Sequence, residues 1–225
     1  MRFLRTMLVA LFVLGALVPA TIAQGIEISD YIGYAWETGG FPPSDPGDVL
    51  QFVGVADWMD PIAGVDLATE EVTYYVYGLT SLGASTDDPA VGYTTYYYSG
   101  GTLEMYRDSA KNAAYGINPA NASAPSTFTD GTLLLKGAFT SFAITFDPFG
   151  GASYGGAADG LAGELITSCS GCIYSWGGTY TVDVGAQIPE GYDMQLDGIL
   201  QIDSAVPTTD ASWGTIKSQY GSSQR

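Results

Sequence analysis

Tyr93-Thr94-Thr95-Tyr96-Tyr97-Tyr98-Ser99-Gly100-Gly101-Thr102-Leu103-Glu104-Met105-Tyr106-Arg107-Asp108 is the stretch on which the reading of the fold turns. It is rich in aromatic and β-branched residues, which favour strands. A glycine pair between two such runs is a hairpin signal. The stretch therefore predicts strands over 93–98 and 102–107, joined by a tight turn at Ser99-Gly100-Gly101. The same period recurs on both sides of it. Val72, Tyr74 and Val76 alternate with Thr73, Tyr75 and Tyr77. Phe142, Ile144 and Phe146 alternate with Ala143 and Thr145, and Tyr180, Val182 and Val184 alternate with Thr179, Thr181 and Asp183. Met194, Leu196, Leu200 and Ile202 alternate with Gln195, Asp197 and Gln201. Each run places its larger apolar side chains on one face, the period-two signature of a half-buried strand.

Turn signals punctuate these runs. Thr129-Asp130-Gly131 precedes a strand at Leu133, Gly150-Gly151 and Gly155-Gly156 read as a flexible loop, and Gly177-Gly178 reads as a tight turn or a bulge. Phe41-Pro42-Pro43-Ser44-Asp45-Pro46 does not fit a central strand, and 110–127 reads as a long loop or short helix. Many short strands with almost no helical pattern predict an all-β chain. The expected architecture is an antiparallel β-sandwich of jelly-roll kind in one domain, with a closed β-barrel as the alternative.

The chain has 225 residues, 7 Lys and Arg, 24 Asp and Glu and no His, for a formal charge of −17. A surface of this sign repels a polyphosphate backbone, so nucleic acid is excluded as a partner. Without His, the usual Ser-His and Cys-His nucleophile pairs, imidazole acid–base steps and His-ligated metal centres are excluded too. Arg2 and Arg5 precede an apolar run that ends near Ala20, and the small residues Thr21-Ile22-Ala23 follow. That is the pattern of a secretory signal peptide over 1–23. The run is shorter than the roughly 20 residues that span a bilayer. Cleavage would remove two basic and no acidic residues, shifting the charge from −17 to −19. The expected organisation is signal peptide 1–23, β-sandwich domain 24–206, and a linker with a short helix or tail over 207–225 carrying Trp213, Ile216 and Tyr220. No transmembrane span is expected after cleavage. The expected location is extracellular or at the cell surface, with the periplasm as the alternative.

Cys169 and Cys172 are the only cysteines. An oxidising compartment favours a local disulfide that staples a turn. A redox-active pair and half of a metal site are the other readings. Among the carboxylates, Asp57, Asp60 and Asp66 are candidate Ca²⁺ ligands, since hard cations take oxygen donors. Asp57 and Asp60 also form a candidate acid–base pair for glycan hydrolysis. Half of the 16 tyrosines fall between Tyr74 and Tyr106. Tyr96, Tyr97 and Tyr98 are the candidate ligand-binding residues, because exposed rings stack on sugar faces or anchor a protein partner. A cross-strand aromatic ladder is the competing reading.

Ser99-Gly100-Gly101-Thr102-Leu103-Glu104-Met105-Tyr106-Arg107-Asp108, with Ser126-Thr127-Phe128-Thr129-Asp130-Gly131-Thr132-Leu133-Leu134-Leu135, resembles uncharacterised exported bacterial β-rich proteins of the PEP-CTERM-associated kind. The resemblance covers the middle third of the chain. It implies export and β architecture, and it carries no activity or catalytic residue. The sequence departs from the anchored members: it has no Pro-Glu-Pro motif, terminal hydrophobic helix or basic tail. The function expected is a non-enzymatic structural or adhesive β protein at the cell surface. The alternatives are a carbohydrate-binding module with a Tyr-rich face, Ca²⁺-dependent or not, and a carboxylate-dependent glycan enzyme. The expected partner is a polysaccharide or a cell-surface protein.

Overall fold

The computed structural model describes residues 25–85, 92–116, 125–149, 151–168, 171–182 and 188–203. The segments 1–23 and 207–225, expected as signal peptide and tail, lie outside them, and so does Cys169.

Eight strands run in chain order: β1 (Ile26–Glu37), β2 (Val49–Met59), β3 (Glu71–Ser85), β4 (Thr94–Asp108), β5 (Thr132–Phe146), β6 (Ala152–Ala162), β7 (Ile173–Thr181) and β8 (Met194–Asp203). Each pairs antiparallel with the next, and β8 pairs back onto β1, from Ile26↔Ile202 to Ala35↔Met194. The sheet is therefore a closed up-and-down barrel, and the sandwich expectation is corrected to its alternative. The reason is connectivity. Every strand hydrogen-bonds its sequence neighbours, whereas a jelly roll needs crossovers between two sheets. Closure also removes both sheet edges.

The central stretch supplies the largest difference from expectation. Thr94–Asp108 is one continuous strand of 15 residues, with no hairpin at Ser99-Gly100-Gly101. Gly100 and Gly101 have φ of 69° and 94°, and Gly78 opposite them on β3 has φ of 74°. In this left-handed region glycine carries no Cβ penalty, so the chain bends sharply and continues. Leu79 still faces Gly100, and Tyr77 faces Thr102. Register shifts at Asp30/Tyr31, Leu50/Phe52, Met105/Tyr106 and Phe139/Ser141 add the local bends a small barrel needs. Gly155-Gly156 and Gly177-Gly178 are likewise inside strands, paired Gly155↔Gly177 and Tyr154↔Gly178 without a slip.

The bore is filled with rings. Trp176 is the hub, its ring centroid 5.4 Å from Tyr31, 5.0 Å from Phe52, 5.3 Å from Tyr154, 5.7 Å from Phe139 and 5.8 Å from Phe142. Rings this large fit because glycines stand opposite them. A Cβ on Gly198 would lie 2.3 Å from the Tyr154 hydroxyl, and one on Gly156 2.8 Å from the Phe142 ring. Three of the buried tyrosine hydroxyls are paired in the bore: Tyr31 and Tyr154 share a 2.6 Å hydrogen bond, and Tyr74 donates to Ser29.

The outer wall differs in character. Ser153, Asp159, Thr179 and Asp197 stand exposed on it. Among the described residues no helix is long and apolar enough to cross a membrane. Over β1–β3 the wall is strapped by the β4–β5 connection. Tyr115 and Phe128 pack with Trp36, Val53 and Tyr192, and Thr73 donates to the Phe128 carbonyl at 3.0 Å. Glu71 anchors this strap by accepting from the Asn112 and Ala113 amides at 2.6 and 2.9 Å.

Candidate functional site

Strand alternation splits the Tyr96-Tyr97-Tyr98 run. Tyr96 and Tyr98 point inward and are buried at 8% and 5% exposure, while Tyr97 stands outward at 41%. Tyr96 packs edge-on to Phe41 and Phe146, and Tyr98 packs on Phe142. The three rings therefore form no common binding face. Successive strand residues face opposite ways, and two of these three belong to the core.

A tyrosine face does exist on the outer wall, built from other members of the same stretch. Tyr75 and Tyr77 on β3 stack at 4.7 Å with 27° between their planes. The Tyr75 hydroxyl donates to Gln51 Oε1 on β2 at 2.9 Å. The Tyr77 and Tyr106 hydroxyls donate to the two carboxylate oxygens of Glu104 at 3.1 and 2.7 Å. Lys136 on β5 donates to Glu104 Oε1 at 2.7 Å. Register explains the convergence, since Tyr75 faces Glu104, Thr73 faces Tyr106, and Glu104 faces Lys136. Burial pushes the Glu104 carboxyl up. The charge and hydrogen bond of Lys136, with the hydroxyls of Tyr106 and Tyr77, outweigh burial and hold it below its ordinary value. Lys136 is raised by the same contact. Burial and the neighbouring Glu104 push Tyr106 well up, so its phenol stays protonated and donating.

The result is a patch of half-buried rings held by a charge-assisted network across β2–β5. Every hydroxyl is committed to a protein acceptor, so the rings are fixed before any ligand arrives. The faces of Tyr75, Tyr77 and Tyr106 stay partly exposed at the barrel surface. Sequence reading located the Tyr-rich region and missed Glu104 and Lys136 as its organisers. Their link runs through strand register, and the assumed turn at Gly100-Gly101 set the β4 residues on two separate strands.

The other expected site residues are scattered. Asp60 caps a short 3-10 turn, its Oδ1 accepting from the Ile62 amide at 2.8 Å. Asp66 Oδ1 accepts from the Ala68 amide at 3.0 Å. Asp57 is exposed and lies close enough to Asp30 to help raise its carboxyl, an effect led by burial. Among the described residues no group of three or more carboxylates or cysteines is placed to hold a metal ion. Asp57, Asp60 and Asp66 are thus not brought together as Ca²⁺ ligands, and two of them serve local turns. Cys172 is buried against the core, and its expected partner Cys169 lies outside the described residues.

No family model matches the chain, and no curated protein or solved structure matches it either.

Proposed function

We propose that this chain is an exported, non-enzymatic adhesive β protein that binds polysaccharide through its outer wall. The observation that supports the reading most is the pre-organised Tyr75–Tyr77–Tyr106 patch around Glu104 and Lys136. Planar rings offer large apolar area at small entropic cost, and sugar C–H faces stack on them. Lys136 and Gln51 beside the rings supply hydrogen bonds for sugar hydroxyls. The ring-filled bore supports a surface role, because it leaves the barrel axis to side chains. The absence of His from the whole sequence argues in the same direction.

The test is binding to a panel of neutral and acidic polysaccharides by calorimetry. Tyr77→Ala, which removes half the stack, is expected to weaken binding about tenfold or more, while Tyr97→Ala on the same wall leaves it unchanged. A folded protein that binds none of the panel, or a Tyr77→Ala variant that binds as well as the wild type, refutes the reading.

A further inference from the structure

One mouth of the barrel is stoppered by the chain itself. The loop between β1 and β2 sends Phe41 into the end of the bore, where it is 7% exposed. Its ring stacks on Phe146 at 5.9 Å and 17°, and meets Tyr96 and Tyr180 edge-on at 5.5 and 5.9 Å. Phe146 and Tyr180 are themselves perpendicular at 5.1 Å. The three rings make a slot for one flat six-membered ring. The Tyr180 hydroxyl is fully buried beside it and has no hydrogen-bond partner, a donor that a bare phenyl group cannot satisfy.

Three residues further on, a second contact holds the loop. Ser44 donates to Glu37 Oε1, its hydroxyl lies 2.6 Å from Ser81 Oγ, and Tyr98 donates to Glu37 Oε2 at 3.1 Å. Glu37 is an inward-facing carboxyl, 5% exposed. The charged groups around it are acidic: Asp48 from the loop and Asp193 from the segment before β8, with Tyr96 and Tyr98 from β4. The ion pairs among the described residues all lie elsewhere, at Arg107 and Lys136.

We propose that this mouth is a binding site for a ligand presenting one uncharged aromatic ring with a hydrogen-bond acceptor, that Phe41 occupies it as an internal substitute, and that ionisation of Glu37 releases the plug. A neutral carboxyl keeps its hydrogen bonds to Ser44 and Tyr98 without placing a charge in the buried mouth. A carboxylate there faces two further carboxylates with no cation, and swinging the loop outward relieves that burial. Burial pushes Glu37 up to about 7, against smaller opposing effects of Ser44 and Tyr98, so release falls near neutral pH. The freed slot would keep the rings of Tyr96, Phe146 and Tyr180, and an acceptor on the incoming ring would satisfy the Tyr180 hydroxyl.

The experiment is calorimetry with acetophenone, one ring and one carbonyl, on the folded protein at about pH 5.5 and about pH 8.5, on either side of the Glu37 transition. Apparent affinity scales with the fraction of open form, so the wild type is expected to bind about tenfold or more tightly at the higher pH. Glu37→Gln, neutral at both values, is expected to keep the weak low-pH affinity throughout. Phe41→Ala is expected to bind at both. If that variant does not fold, Ser44→Ala, which unlatches the loop and leaves the ring, is expected to bind at the lower pH as the wild type does at the higher. Tyr180→Phe is expected to lower acetophenone affinity severalfold and leave toluene affinity unchanged. Wild-type binding that does not change with pH, or a folded Phe41→Ala that binds no acetophenone, overturns the proposal.

Discussion

The inner and outer walls of this barrel use the same residue types for opposite ends. Tyr74 and Tyr75 are adjacent on β3. Tyr74 is completely buried and donates to Ser29, whereas Tyr75 lies half-buried on the outer wall and donates to Gln51. Two glutamates repeat the contrast. Glu37 inside meets hydroxyls and other acids, and its carboxyl is pushed up to about 7, mainly by burial. Glu104 outside meets hydroxyls and an ammonium, and its carboxyl is held down. Inside, rings against glycines build stability. Outside, similar rings are arranged around a charge and stand half-buried, with Tyr75 packed against the smaller buried cluster of Trp36, Val53, Phe128 and Tyr192.

The sharpest way to break this comparison is to delete a ring from each wall. Trp176→Ala removes the hub of the bore and is expected to cost about 3–5 kcal/mol of unfolding free energy, the usual range for a buried Trp or Phe cut to Ala. Tyr77→Ala on the outer wall is expected to cost about 1 kcal/mol, as for a partly exposed side chain away from the core. Urea unfolding of both variants checks the pair. Similar losses would mean that the outer patch is a structural element and not a surface held for binding. Adding an atom to the bore is the reciprocal change. Gly198→Ala places a methyl 2.3 Å from the Tyr154 hydroxyl and 2.4 Å from the Gly177 carbonyl oxygen. The backbone oxygen has no rotamer to retreat to, so a loss of about 1–3 kcal/mol is expected in the same assay.

How much of this was legible in the sequence follows from which rules are local. Alternation in 194–202 places Met194, Leu196, Leu200 and Ile202 inside and Gln195, Asp197 and Gln201 outside, and the structure agrees residue by residue. β content and antiparallel pairing were readable for the same reason. Closure was not, because the β1–β8 pairing joins segments about as far apart as the described chain allows, and period-two patterns are the same in a sandwich and a barrel. The glycines were misread for a physical reason. Gly100-Gly101, Gly155-Gly156 and Gly177-Gly178 resemble turns, but in a bore full of rings a glycine also marks a bend or a place where a ring needs room. The outer patch was half legible. Tyrosine density gave the region, while the identity of the ring-bearing face depended on reading β4 as one strand. Glu37 could have been noticed by carrying the inward alternation Tyr31, Gly33, Ala35 one step further.

The two glutamates give the next contrast, in opposite directions of pH. The folded protein holds the Glu37 proton more tightly than the unfolded chain, whose ordinary value is 4.5. The associated stability is full below that value and is lost as pH rises through about 7, a loss of about 3 kcal/mol for a shift of this size. Asp193, raised chiefly by its own burial, adds a loss of the same sign. Urea midpoints from about pH 4.5 to about pH 8.5 are expected to fall in the wild type, and the fall is expected to shrink markedly in Glu37→Gln. A midpoint flat across neutral pH would place Glu37 in contact with water or a cation, contrary to its position in the mouth.

Glu104 carries the smallest expected effect and the opposite sign. Its folded carboxyl lies below the ordinary value, so its contribution is present above the unfolded value and is lost as pH falls through the folded one. Lys136 is 36% exposed, so solvent screens the pair, and Lys136→Met is expected to cost under about 1 kcal/mol near neutral pH. The cost should shrink in about 1 M salt, where the Debye length is only about 3 Å, and vanish in acid, where Glu104 is neutral in both proteins. A cost that ignores salt and pH would assign Lys136 to packing through its aliphatic stem. The Glu104 network would then hold its tyrosines by their hydroxyls alone, and binding at the patch would lose its cationic partner for sugar oxygens without losing its ring faces. Measuring polysaccharide affinity on the same Lys136→Met protein therefore separates the two contributions. Affinity that survives the substitution belongs to Tyr75, Tyr77 and Tyr106, and affinity that falls with it belongs to the charge at their centre.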